Sequence, residues 1–425
     1  MDAVQRPALR VRTREAADLG DLAERLPRRE GVAWIRDGSG LIGCGEVARY
    51  KASSFADAER WWADLVEAAE IESDLDDPPS GSGLVAFGSF VFDPDNTDSQ
   101  SILIVPEVVY GHRGGRSWIT EISDPTKQAL TPPLTRSAPP AAEPDSAPEA
   151  PRTVSYADGA LSGPQWEGAV AEAVRRINAN GLDKVVLARN LLAVADRDLD
   201  PRWLVRQLSG TYRRCWTYLV DGLVGATPEM LVRSEAGLVT SRVLAGTIRR
   251  TGRDDHDLAL AAALSGSSKD LEEHEYAVRS VAAALAPYCS GMNVPDAPYV
   301  LELPNVLHLA TDVTAALDPG TTALGLAAAL HPSAAVCGTP TDLARTTIAE
   351  LEKMDRGRYA GPVGWIDARG DGEWGIALRC GQIDDTDPRQ IRLYAGCGIV
   401  AGSDPEAELA ESNAKLVPMR DALAG

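Results

Sequence analysis

Short apolar runs broken by turn residues recur along this 425-residue chain without alternating regularly with helical patterns, and that most narrows what it can fold into. Gly31-Val-Ala-Trp-Ile35, Leu84-Val-Ala-Phe-Gly-Ser-Phe-Val-Phe92, Ile102-Leu-Ile-Val105 and Val108-Val-Tyr110 read as strands, with one helix over 56–70 among them. A doubly wound parallel sheet places a helix after nearly every strand, so the pattern disfavours it. Nothing in residues 8–123 has catalytic spacing. Gly81-Ser-Gly83 lacks the lysine and the helix start of a phosphate-cradling loop.

Residues 124–152 turn abruptly to proline, alanine and serine, too little apolar surface to offset the entropy of ordering, and are expected to be a flexible connection. Beyond them Trp166, Val170, Val174 and Ile177 share one stripe of a helix over 164–180, stopped by Gly181. Lys184-Val-Val-Leu-Ala-Arg189 follows as a buried strand. Its lysine shares a strand face with Val186 and Ala188. Either the ammonium snorkels from the strand end, or it is desolvated, with a depressed pKa that suits a general base.

Glu229 follows the proline of Gly225-Ala-Thr-Pro-Glu229 and precedes an apolar run. It is either a surface turn residue or a carboxyl held protonated at an apolar wall, able to act as an acid. Leu244-Ala-Gly-Thr-Ile-Arg249 reads as a tight turn in which Gly246 permits close approach of a ligand. Arg379 ends the apolar run from Trp374, placed to grip a carboxylate in two-pronged fashion or to form a structural ion pair. His331, in a loop of small residues, reads as structural.

The densest chemistry lies at residues 395–415, where glycines at 396, 398 and 402 mark a strand and turn. Ser403 or Asp404 would cap a helix opening with Pro405. On it Glu408, Glu411 and Lys415 share a face, either a solvated, salt-bridged surface or a place to hold a divalent cation beside an anion. Lys269-Asp-Leu-Glu-Glu-His274 repeats the theme with Asp270 and Glu273 three apart, so two helices could share one metal ion.

The net charge of -20 argues against nucleic acid or an anionic membrane as partner, and requires any site for an anion to gather its cations locally. Six scattered cysteines without zinc-site spacing point to reduced thiols. No signal-like apolar stretch opens the chain, so a cytoplasmic location is expected.

These motifs, together with His331-Pro-Ser-Ala-Ala-Val-Cys-Gly338 and Tyr359-Ala-Gly-Pro-Val-Gly-Trp365, stand in an order that resembles the chorismate-utilising enzymes, the family of anthranilate, aminodeoxychorismate, salicylate and isochorismate synthases. The resemblance covers about residues 160–420, the expected catalytic region. It implies an α+β fold, one large unit over 1–425 of layered antiparallel β-sheets with helices outside, in which the strands of 1–123 contribute to the core and 124–152 is a loop.

By resemblance Lys184 is the base and Glu229 the acid. Glu273 and Glu411 hold Mg2+, supported by Asp270 and Glu408, while Gly246, Thr247, Ala335, Tyr359, Leu378, Arg379, Gly396 and Lys415 surround the substrate. Ala245 stands where aminodeoxychorismate synthases carry a nucleophilic lysine, and Lys184 where ammonia-using members commonly lack one. Ala335 stands where salicylate synthases resemble one another in having threonine. The resemblance therefore implies Mg2+-dependent conversion of chorismate to isochorismate by a monomer, for menaquinone or a siderophore. The alternatives are a salicylate synthase, an ammonia-using synthase subunit with a glutaminase partner, and a non-catalytic chorismate-binding or regulatory protein.

Overall fold

In a computed structural model, residues 8–128, 147–179 and 181–425 are described, except the side chains of 127, 128, 269 and 273. The segment expected to be flexible falls largely on 129–146, outside the described residues. It is flanked by a helical turn, Pro125–Gln128, and a strand, Val154–Asp158.

The apolar runs become two large sheets, one of thirteen strands and one of ten among the described residues. Pairing is antiparallel throughout except at one edge, where Arg10–Ala16 lies parallel to Glu70–Ser73. The helix Phe55–Ala68 immediately precedes that last strand, and a parallel return requires such a crossover. The sheets are laid down by alternation along the chain. The larger takes Gly31–Arg36, Lys184–Ala195 and Gln390–Ile399, the smaller takes Val85–Ser89, Leu238–Arg249 and Val306–Leu317. Early and late strands thus share each sheet and one core, in which Trp34, Trp118, Trp166, Trp365 and Trp374 are fully buried.

Helices cover the outer faces. Gly163–Asn178 and Thr341–Glu352 pack on the larger sheet, as does Pro405–Ala424, while Ser268–Leu285 and Ala323–Leu330 pack on the smaller. Their starts follow local chemistry. Asp404 accepts from the Ala407 amide and Ser267 from the Asp270 amide, each satisfying a backbone donor that the first turn leaves open. Among the described residues no helix is long and apolar enough to cross a membrane.

The sheets are joined by a buried polar contact. Trp34 Nε1 of the larger sheet donates to Glu373 Oε2 of the smaller at 2.6 Å, and Arg113 pairs with both Glu373 and Glu235. Removing Glu373 leaves the buried Arg113 with only the more exposed Glu235 to offset its desolvation. Glu373→Ala is therefore expected to lower stability by about 3 kcal/mol in urea denaturation, and Glu373→Gln by less, since its amide oxygen still accepts from Trp34.

Candidate functional site

Ten consecutive antiparallel pairs join Lys184–Ala195 to Gln390–Ile399, setting Val186 opposite Gly398 and Ala188 opposite Gly396. Beside this ladder opens a cavity with about 680 Å³ of space free of protein atoms, part of it open to solvent. Its lining includes Glu229, Thr247, Ala335, Tyr359, Leu378, Arg379, Gly396 and Lys415, residues scattered over nearly two hundred positions of sequence.

The expected tight turn at 244–249 is instead part of a twelve-residue strand, Leu238–Arg249. Ala245 faces Leu309 and Thr247 faces His308, so Gly246 is an extra residue, a bulge, with φ +79°. The glycine signal was real, but long-range pairing with Val306–Leu317 turns it into a kink within a strand. One extra residue shifts the alternation by one, which puts both Leu244 and Thr247 on the cavity wall. A Cβ on Gly246 would sit 3.3 Å from Asp270 Cβ, so the bulge and the Ser268–Leu285 helix approach closely.

Cations gather here although the chain is strongly acidic. Lys415 Nζ donates to the Gly396 carbonyl at 2.9 Å and pairs with Glu411 Oε1 at 2.6 Å. Burial opposes ionisation of Glu411, but Lys415 offsets it and holds the carboxyl below its ordinary range. Arg379 is buried with a backbone φ of +50°, a left-handed conformation that costs a non-glycine residue on the order of 1–3 kcal/mol and is found at functional sites. Its Nη2 meets His308 Nε2 at 3.3 Å, while Nη1 is buried without a hydrogen-bond partner. A buried guanidinium with an unused donor at a cavity is suited to a carboxylate.

His308 escaped the sequence reading, because one histidine in an apolar run carries no spacing signal. Burial, with Arg379 and Lys415 nearby, holds its imidazole well below the ordinary value and therefore neutral. Arg379 can only donate, so His308 Nε2 accepts and Nδ1 gives its proton to Thr247 Oγ1 at 2.9 Å. The Thr247 hydroxyl proton is then available to a ligand. Tyr394 was also missed. It stacks on Tyr359, centroids 5.0 Å apart at 8°, and holds that ring against the cavity. Gly396 leaves room for the hydroxyl, since a Cβ there would stand 3.1 Å from Tyr359 Oη.

Glu229 is buried, and desolvation pushes it up to about 7 against the lowering fields of Lys184, Lys415 and Arg379. Lys184 itself is half-buried at the start of its strand, between the snorkelling and the fully desolvated alternatives. Together with Glu272, Tyr276, Ala334 and Val400 it lines another groove; Ala334 is next to Ala335 of the main cavity, and Lys184 is two residues from Val186, which also lines that cavity.

Carboxylates collect beside Lys415. Glu408 and Glu411 present ligand atoms within 4.8 Å of each other and of the Cys397 sulfur. Burial pushes the Cys397 thiol well above its ordinary range, so it stays protonated and leaves an oxygen-only set that suits a hard divalent cation. Asp270 stands beside the Gly246 bulge; the side chain of Glu273 lies outside the described residues.

The chain is also similar to known proteins. A family model described as chorismate binding enzyme matches residues 29–424. Isochorismate synthase DhbC of Bacillus subtilis is 41% identical over 270 residues, covering 61% of this chain and 67% of that protein. The vibriobactin-specific isochorismate synthase of Vibrio cholerae is 36% identical over 271 residues, 62% of this chain and 68% of that protein. The structure of MenF, the menaquinone-specific isochorismate synthase of Escherichia coli, matches with a TM-score of 0.79 at 24% identity over 98% of this chain and 95% of that one, a likeness of fold.

An acid whose folded-state pKa is raised holds its proton more tightly folded than unfolded. Stability then falls as pH climbs from 4.5 to about 7 and levels off above. Glu229→Gln removes that penalty. The variant is expected to exceed the parent by about 3 kcal/mol above neutrality and to equal it near about pH 4, read from denaturation across pH.

Proposed function

The chain belongs to the chorismate-binding enzyme family, and from that premise we propose that it is an isochorismate synthase, adding water at C2 of chorismate while the C4 hydroxyl leaves. The observation that carries this reading is Glu229, buried and raised to about 7, within the field of Lys184 and in a cavity with Arg379 and Lys415. Water is a poor nucleophile and hydroxide a poor leaving group, so the reaction needs a base and an acid at once. The Lys184 amine takes a proton from water as its oxygen bonds to C2. The ring double bonds shift, the C4–O bond breaks, and Glu229 gives its proton to the departing oxygen. Arg379, through its unused donor, and Lys415, through its third proton, receive the substrate's carboxylates, with Tyr359 and Thr247 as neutral donors.

Magnesium, when bound, would be held by Glu273 and Glu411 with Asp270 and Glu408 in support, and would neutralise a substrate carboxylate that otherwise faces these anions; the closeness of Glu408 to Glu411 supports this. The small Ala335 methyl at the wall supports a reaction that stops at isochorismate. The strong matches to isochorismate synthases support the same end point. Synthesis of menaquinone or of a siderophore would consume the product; one relative is named as vibriobactin-specific. The six cysteines are free thiols, which suits a reducing compartment.

Purified protein supplied with chorismate and Mg2+ should give isochorismate as the main product on chromatography; salicylate in its place would overturn the assignment. Lys184→Ala should fold and still bind chorismate but turn over at least about 100-fold more slowly, the ordinary contribution of a positioned base. Near-normal turnover would remove Lys184 from that role.

A further inference from the structure

The edge of the Lys184–Ala195 strand that faces away from the ten-pair ladder is only partly covered by other strands. Gly338–Thr339 pairs with Lys184 and Val185, and Val154–Asp158 pairs from Leu191 onward. Between them the backbone of Val186 and Ala188 lacks a partner strand, yet buried amides and carbonyls need partners. The Val186 amide donates to the Cys337 carbonyl at 2.8 Å, just before Gly338, and side chains supply the other three. The Ala188 amide donates to Glu352 Oε1 at 2.7 Å, the Val186 carbonyl accepts from Arg356 Nη2 at 2.8 Å, and the Ala188 carbonyl accepts from Trp166 Nε1 at 3.0 Å.

Glu352 and Arg356 are bound to each other, Nη2 to Oε1 at 2.6 Å and Nε to Oε2 at 3.0 Å, with side chains only 1% and 3% exposed. Arg356 Nη1 also donates to the Val336 carbonyl at 2.9 Å, and the guanidinium lies 4.2 Å from the Phe92 ring centre. The carboxylate thus stands in for a strand's C=O and the guanidinium for its N–H. The same guanidinium ties the strand that begins at Lys184 to the loop that carries Ala335. A buried ion pair is often no more stabilising than apolar residues of equal volume, so stability alone does not account for this one.

We propose that Glu352 and Arg356 are positioning residues that act as a surrogate strand, fixing the spacing between the Lys184 strand and the Ala335 loop and hence the alignment of the base with the substrate. The proposal rests on the reaction assigned above. Its consequence is a turnover defect out of proportion to any binding defect, since small misplacements of a reacting group act mainly on rate. An ammonium cannot span two carbonyls and a carboxylate as the planar fork does, so lysine at 356 is not a conservative exchange.

The test combines kinetics with amide hydrogen exchange on the full-length protein. Glu352→Ala should speed exchange at the Ala188 amide and lower kcat about tenfold with KM within about twofold. Glu352→Gln, which keeps the acceptor oxygen, should retain most of the protection and most of the rate. Arg356→Lys should lose rate as Glu352→Ala does. If Glu352→Ala does not fold, Arg356→Lys, which keeps both charges, carries the test. Faster exchange at Ala188 with kcat unchanged, or a kcat unchanged in Arg356→Lys, would overturn the proposal. Turnover is followed on whichever product the parent protein makes from chorismate. An error in the assigned reaction then shows as a different product from the parent, and an error here as undiminished turnover in the variants.

Discussion

The antiparallel ladder between Lys184–Ala195 and Gln390–Ile399 is the constraint on which the site depends. Two segments two hundred residues apart are brought into fixed register by backbone hydrogen bonds alone. Part of the chemistry is hung from them. One strand begins at Lys184. The other supplies the Gly396 carbonyl that Lys415 grips and leads, through one turn, into the helix of Glu408 and Glu411. Because strand side chains alternate, fixing the register also fixes which residues see the cavity.

Electrostatics then follow from dryness. Cations, a neutral imidazole and a carboxyl near its half-protonated point crowd a small space within a chain whose overall charge is strongly negative. In water such charges would be screened; here each sets the protonation of its neighbours. Lys415 keeps Glu411 ionised, and Arg379 with Lys415 helps keep His308 neutral. The neutral histidine in turn fixes which way Thr247 offers its proton. The strained backbone of Arg379 persists because the packing around it holds it there.

Much of this was legible in the sequence where the signal is local. The helix start at Asp404, the common face of Glu408, Glu411 and Lys415, and the strand at Lys184 all come from spacing and capping within about twenty residues. The family pattern gave the sheet architecture, which the structure shows with one parallel edge pair added. Features made by long-range pairing were not legible. Gly246 read as a turn because its partner strand lies sixty residues downstream. His308 and Tyr394 are embedded in apolar strands and acquire meaning only through Arg379, Thr247 and Tyr359, which no local pattern brings near. The half-buried state of Lys184 lay between two readings that the sequence left open, since an apolar run does not tell where its sheet ends.

The Gly246 bulge has an evolutionary corollary. Because one supernumerary residue reverses the in-and-out order of everything beyond it, the strand from Leu238 to Arg249 cannot gain or lose a single codon without exchanging its inner and outer side chains. Relatives are free to drift in length wherever a surface connection absorbs the change. Across this stretch a change in the number of positions would carry that cost, whereas a replacement would not.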